Sequence, residues 1–408
     1  MSLAECRSLA SSDIGAAFRA SDGFLVEEHG SEALFAQFVS PSSEPDPAKV
    51  PLIFMGLPGS SASGLAAYLM TCSAALKIRP QSLSALQVQG ETAAIEASQV
   101  RFARYFPSDP QMLAFTASLH GGQPAIALTT AQQVKAHNTR MPAAPLTFVR
   151  AGVPSFSLDY PVCAVRHAKL SPELSEAQRS AMQEIFGPEL QAQLAKQGFG
   201  PPSSEGSTEE AGTALALLNL WPSARKPSLS AFVIDTSSNV PQEILAPLER
   251  ELQAFSSRPA VARDSLTLIS TSTRPELLAP ASTDHSRFRE AVKALPSSGA
   301  LALREGLALA MSLVTDAPLS QYRGVIIAVV TGQDTASAIS AASLAQRSLA
   351  AISRRGTSLY IVGITGPASQ PGQLSSAAQL AADLGGTYVE TSIQGIPTAL
   401  RGIFQEIE

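Results

Sequence analysis

Five consecutive residues, Asp235-Thr236-Ser237-Ser238-Asn239, concentrate oxygen ligands more densely than the rest of the chain: a carboxylate followed by short oxygen-bearing side chains at alternate positions. Such a turn can converge on a hard divalent cation such as Mg²⁺, which takes oxygen donors in near-ideal octahedral geometry. The same residues equally suit a helix start, with Ser237 and Asn239 accepting from free backbone amides and Asp235 bonding amides nearby. A further carboxylate, Asp334, follows Thr331-Gly332-Gln333.

The second candidate is GLPGSSASG at residues 56–64. Free amides at a helix N-terminus, joined by the hydroxyls of Ser60, Ser61 and Ser63 and by the backbone of Gly64, can hold a small anionic group. No Lys follows the last glycine, so the loop is not a phosphate-binding P-loop, and a Ser-capped helix after a turn accounts for the same residues. Elsewhere His29, His120, His137, His167 and His285 lack ligand spacing, Glu91 and Glu305 have no acid-base partner, and no G-x-S-x-G elbow occurs. No catalytic residue is expected, and the chain is expected to bind rather than catalyse.

The elements that must carry these loops alternate regularly in the second half. Residues 229–235 (LSAFVID), 265–270 (SLTLIS), 325–331 (VIIAVVT) and 357–364 (TSLYIVGI) are apolar, β-rich runs, and 387–390 is a short edge strand. Helices are expected after Pro241, around Phe288, Val292 and Leu295, around Leu303, Leu307, Met311 and Val314, over 336–353, over 375–383, and around Ile396, Leu400 and Phe404. Strands alternating with amphipathic helices make a doubly wound, mostly parallel sheet, which places the Asp235 loop at a strand's carboxyl end, where ligands bind in such sheets. The first half is less regular. Strands are expected at 51–55, 125–128, 146–149 and 162–165, and helices at 63–76, 131–137 and 175–197, with a helical segment around 98–106.

At 408 residues the chain is expected to hold two domains, 1–222 and 223–408, because residues 199–212 are rich in Pro, Ser, Gly and Glu. Net charge is -5, without a dense basic cluster, so no nucleic-acid partner is expected. No apolar run is long enough to span a bilayer. Residues 1–13 do not form a secretory signal; taken literally the chain is cytoplasmic, and a different native start stays open. Cys6, Cys72 and Cys163 are odd in number, widely spaced and without CxxC spacing, which excludes a disulfide framework and a cysteine-rich zinc site. Cys72 and Cys163 sit in apolar runs and are expected as small buried side chains.

From LSAFVIDTSSN through SLTLIS, GALALREGLALAM, VIIAVVTGQD, TSLYIVGI and LGGTYVE, residues 223–408 resemble a von Willebrand factor A domain. The resemblance implies that Asp235, Ser237 and Asn239 correspond to the D-x-S-x-S signature of the family's metal-ion-dependent adhesion site. Two further ligands of that site are missing: Leu301 or Ala300 stands where the family has Thr, and Gly332 where it has Asp, leaving Asp334 nearby. The site is therefore expected to be degenerate and no cofactor is expected, Mg²⁺ included, with a protein partner at the strand-end face. GLPGSSASGLAAYLMTCSAA, IEASQVRFARYF, AIALTTAQQVKAHN, LDYPVCAV and LAKQGFGPP resemble the later portion of a type II periplasmic solute-binding protein, an α/β fold whose Ser-Gly loop lines a cleft. That resemblance implies an extracytoplasmic bacterial protein, and it leaves a solute receptor for a small anionic ligand as the alternative. Only about fifty residues precede the matched part, so the first lobe is short or incomplete.

Overall fold

A computed structural model describes residues 2–23, 51–119, 123–151, 157–166, 172–202, 211–238, 240–318, 320–366 and 374–408. Two six-stranded sheets carry the chain. The first contains β1 (Ser2–Arg19), β2 (Leu52–Gly56), β3 (Phe102–Phe106), β4 (Ala125–Thr130), β5 (Leu146–Arg150) and β6 (Ser157–Arg166), in the order β3-β2-β4-β1-β5 with β6 paired to β1. β2 runs parallel to β3 and β4, whereas β1 is antiparallel to β4, β5 and β6. β2 and β4 are continuous apolar runs because both their faces are covered. The helices Ala62–Leu76 and Ala211–Ala224 cover one face, where Tyr68 and Tyr105 both meet the Trp221 ring edge to face.

Two expectations for this half are corrected. The segment around residues 98–106 is not one helix: the helix Thr92–Gln99 ends and β3 follows, buried at all five positions. Arg104 disguises the strand in the sequence. Its guanidinium is accommodated inside because it lies 4.4 Å from the Phe106 ring centroid and 4.6 Å from that of Phe115. Cys6 and Cys163 are not unpaired but form a disulfide between β1 and β6, opposite each other in the ladder. They are 157 residues apart, so no local spacing encodes the pairing. Cys72 is buried with a free thiol.

The second sheet contains β7 (Ser228–Asp235), β8 (Ser265–Thr271), β9 (Pro275–Ser282), β10 (Arg323–Val330), β11 (Ser358–Thr365) and β12 (Thr387–Ser392), in the order β12-β11-β10-β7-β8-β9. All pairings are parallel except that of β9, an antiparallel edge strand that the sequence did not announce. One face packs on the helices Gln242–Ser256, Ser286–Lys293 and Ile396–Ile407, where Phe232, Phe255, Phe288 and Phe404 meet. The other packs on Leu303–Asp316, Ala341–Ser348 and Ser375–Asp383. The helix expected over 336–353 begins only at Ala341 and finishes as a π-helical turn, Leu349–Ser353. This is the doubly wound α/β architecture. Among the described residues no helix is long and apolar enough to cross a membrane.

The sheets meet where β3 lies beside the starts of β7, β10 and β11. The Lys226 amide donates to Tyr105 Oη at 3.2 Å, and the Arg323 guanidinium sits 5.0 Å from the Tyr105 ring centroid. Arg225 and Asp264 form a two-pronged ion pair at 2.7 and 3.0 Å, both side chains almost fully buried, and Asp264 Oδ1 also accepts the Ser228 amide at 2.7 Å. Because β7 starts at this junction and ends at Asp235, the strand-end face lies a strand's length away, roughly 23 Å.

Candidate functional site

Asp235 is the last residue of β7, and Thr331 follows the last residue of its parallel neighbour β10. Parallel strands in register deliver both to the same carboxyl edge. Asp235 is buried, and each of its oxygens is already engaged. Oδ1 accepts the Ser237 amide at 3.0 Å, while Oδ2 accepts the Thr331 amide at 3.0 Å and the Thr331 hydroxyl at 2.7 Å. The Asp235 loop is thereby tied to the Thr331 loop, as the sequence places them.

Backbone bonds fix the rest of the turn. The Thr236 amide donates to the Thr271 carbonyl at 3.0 Å, the Ser298 amide to the Thr236 carbonyl at 2.9 Å, and the Ser238 amide and hydroxyl to the Gly299 carbonyl at 3.0 and 2.9 Å. Ser237 is buried, the Thr236 hydroxyl is buried without a partner among the described residues, and Asn239 lies outside them.

Asp334 is engaged elsewhere. Its Oδ2 accepts from Arg304 Nε at 3.0 Å and from the Arg304 amide at 3.2 Å, and its Oδ1 accepts the Ser337 amide at 3.1 Å. Arg304 opens the helix Leu303–Asp316, so Asp334 answers both a side-chain cation and a free N-terminal amide. Glu305 reciprocates by accepting the amides of Ala338 and Ile339. Burial opposes ionisation of the Glu305 carboxyl, but donors from Ser337, Ile339 and Ala338 outweigh it and hold the group below the usual carboxylate range. Sequence reasoning missed Arg304 and weighed Glu305 only as an acid-base group without a partner. The only signal was a charged pair inside the otherwise apolar run GALALREGLALAM.

Leu301 is buried in the core, Ala300 is half-buried with its amide donating to Thr273 Oγ1 at 3.3 Å, and neither of these residues nor Gly332 offers a side-chain oxygen ligand. Among the described residues no three His, Cys, Asp or Glu side chains are grouped to hold a metal. An octahedral cation at Asp235 would have to displace the Thr331 donors and would find apolar atoms where hydroxyl and carboxylate ligands are needed. As arranged, these residues do not fit one.

At the first sheet's candidate loop, Ser61 caps the helix Ala62–Leu76, its Oγ accepting the Gly64 amide at 3.2 Å. Gly64 is required for close approach, since a Cβ there would sit 2.4 Å from the Gly56 carbonyl oxygen. Ser61 Oγ lies 2.6 Å from Ser63 Oγ, which donates to Asp109 Oδ2 at 2.5 Å, and Thr129 donates to Asp109 Oδ1 at 2.7 Å. Ser60 is exposed and its hydroxyl turns to the Pro107 carbonyl at 3.2 Å. Ser61, Ser63 and Gly64 are thus gathered, but around the chain's own carboxylate. Asp109 was not anticipated; its position before a proline at the start of the helix Asp109–Ser118 was the available signal.

Residues 231–336 match the model of the von Willebrand factor type A domain family, a segment that spans both Asp235 and Asp334. No curated protein matches the chain. Among solved structures, the conserved hypothetical protein BatB from Bacteroides thetaiotaomicron is similar at 17% identity over 44% of this chain and 97% of that one, with a TM-score of 0.35. A mutant of the PilB minor pilin from Streptococcus sanguinis is similar at 11% identity over 64% of this chain and 73% of that one, TM-score 0.36. The vWF domain of the type V pili tip protein Mfa5 from Porphyromonas gingivalis is similar at 12% identity, over 45% and 95%, TM-score 0.33.

Proposed function

We propose that the chain is a non-enzymatic bacterial binding protein whose second unit, residues 223–408, contacts another protein through the strand-end face around Asp235 without a metal ion. The observation that carries this reading is the use of both carboxylates there: Asp235 holds the Thr331 loop, and Asp334 holds Arg304. Residues 1–222 serve as a scaffold in this reading, with the division between the units falling between residues 199 and 228. The reading also places the protein outside the cytoplasm. The Cys6–Cys163 disulfide supports that placement, since such bonds persist mainly in oxidising compartments. A receptor for a small anionic ligand at Ser60, Ser61, Ser63 and Gly64 gains no support, because Asp109 already presents a negative charge to the hydroxyls of Ser61 and Ser63.

Calorimetric titration with Mg²⁺ and Mn²⁺ tests the metal-free contact. No heat of binding is expected at millimolar metal; micromolar binding abolished by Asp235→Ala overturns the reading. Photo-crosslinkers at the exposed Ser238 and Gln333 are expected to give the same partner adducts with and without chelator. Adducts that vanish on chelation, or no adducts at either position, count against it.

A further inference from the structure

We propose that the Cys6–Cys163 disulfide is a redox-sensitive staple: a dithiol reductant that opens it separates residues 2–7 from 162–166 while both sheets stay folded.

The first sheet treats the two ends of β1 differently. Residues 14–19 lie between β4 and β5 and are mostly buried, so they belong to a sheet closed on both sides. Residues 2–13 have one strand neighbour, β6, and a two-stranded ribbon is marginal by itself. Its ladder is also interrupted on each side of the disulfide. Register shifts fall between Leu3 and Cys6 and between Ser8 and Ala10. Pro161, opposite Ser8, has no amide hydrogen to contribute.

Ties beyond the ladder begin at Ser8, on the edge of this gap, and continue past it. Ser8 Oγ donates to Asp159 Oδ1 at 2.5 Å, Gln191 Nε2 to the Leu9 carbonyl at 2.9 Å, and Ser157 Oγ to Asp13 Oδ1 at 2.5 Å. Ser11 and Gly200 exchange backbone bonds at 3.3 and 2.7 Å. These hold residues 8–13 without the disulfide. Among the described contacts, residues 2–7 have the irregular ladder, the disulfide, and Arg7, an exposed side chain whose guanidinium lies 4.5 Å from the Phe186 ring centroid.

The chemistry is thiol–disulfide exchange. Cys6 is exposed and Cys163 only half-buried, so an incoming thiolate reaches the Cys6 sulfur first, forming a mixed disulfide and expelling the Cys163 thiolate, which takes a proton. The reductant's second thiol attacks the mixed disulfide and releases Cys6 as a thiol, leaving the dithiol oxidised to its own disulfide. Cys72 is buried and does not compete.

The test uses the full chain with dithiothreitol. Alkylation under native conditions is expected to label no cysteine before reduction and Cys6 and Cys163 after it. Hydrogen exchange in the reduced protein is expected to accelerate about tenfold or more in peptides covering 2–7 and 162–166, with no change in β4, β7 or β10. Cys6→Ser without reductant is expected to reproduce that pattern. Labelling before reduction, unchanged exchange in the reduced protein, or exchange accelerating throughout the first sheet would each overturn the proposal.

Discussion

Arg304 Nε lies 3.0 Å from Asp334 Oδ2, and that same oxygen receives the Arg304 backbone amide. A positive charge that belongs to the chain thus neutralises the carboxylate two residues after Gly332. It also ties the Asp334 loop to the first turn of the helix Leu303–Asp316, which a bound cation would otherwise have to organise from outside. Hydrogen bonds and an ion pair between groups of the chain itself thus hold these two loops together.

Asp334→Ala removes the acceptor for the Arg304 guanidinium and the Ser337 amide and one of two acceptors of the Arg304 amide, which keeps Ser337 Oγ at 3.1 Å, and is expected to cost about 1–3 kcal/mol in urea unfolding. Arg304→Ala keeps the backbone bond and loses a partly exposed ion pair, so about 1 kcal/mol or less is expected. The reverse ordering would show that the guanidinium, not the capped amide, holds the loop.

Gly306→Ala would improve intrinsic helix propensity by roughly 1 kcal/mol in the abstract. Here a Cβ would stand 2.1 Å from Thr271 Cγ2 and 2.9 Å from Val233 Cγ1, both stiff, β-branched side chains in the sheet. A net destabilisation of about 1–3 kcal/mol is expected, read as a lower thermal midpoint, because the helix must lift from β7 and β8. An unchanged or raised midpoint would refute the packing argument.

The sequence made these neighbours partly visible. β7, β10 and β11 are recognisable because strands buried on both faces become unbroken apolar runs, and that suffices to bring Asp235 and Thr331 to one edge. β9 is half-exposed and carries Pro275 and Pro280, so it shows neither alternation nor a continuous apolar run. Arg304 could be seen as a charge but not as a partner, since its contact with Asp334 spans 30 residues and depends on how two loops bend. β1 is rich in Ala and Ser, a composition with little strand preference, and its pairing across most of the first half defines the sheet.

Asp264 accepts from Arg225 twice and from the Ser228 amide once, with almost no solvent access. Asp264→Ala leaves a buried guanidinium uncompensated at the junction of the sheets and is expected to cost about 3–5 kcal/mol. Replacing both partners with apolar residues, Arg225→Met with Asp264→Leu, is expected to restore much of that loss, though not the Ser228 bond. Equilibrium denaturation of the three proteins decides between this and a pair whose members act independently.

Lys226 supplies the last prediction, a pH dependence with a defined sign. Burial pushes its ammonium down to about 7, reinforced by the positive charges of Arg355, Arg323 and Arg101. In the unfolded chain the same group titrates near its ordinary value, about 10.4. Between these values the unfolded state holds a proton that the folded state lacks, so folding stability rises with pH, by up to about 1.4 kcal/mol per unit from this residue. Below about pH 7 both states are protonated and the contribution is constant at its least favourable; above about 10.4 neither is, and the penalty is gone. Lys226→Met removes the proton-binding group while keeping an unbranched apolar stem. The measurement is the difference in unfolding free energy between the wild-type chain and this variant at a series of pH values from 6 to 10, which cancels other titrating groups. The variant is expected to be the more stable at pH 7, with its advantage shrinking as pH rises. A difference independent of pH would mean that Lys226 keeps its proton in the folded chain.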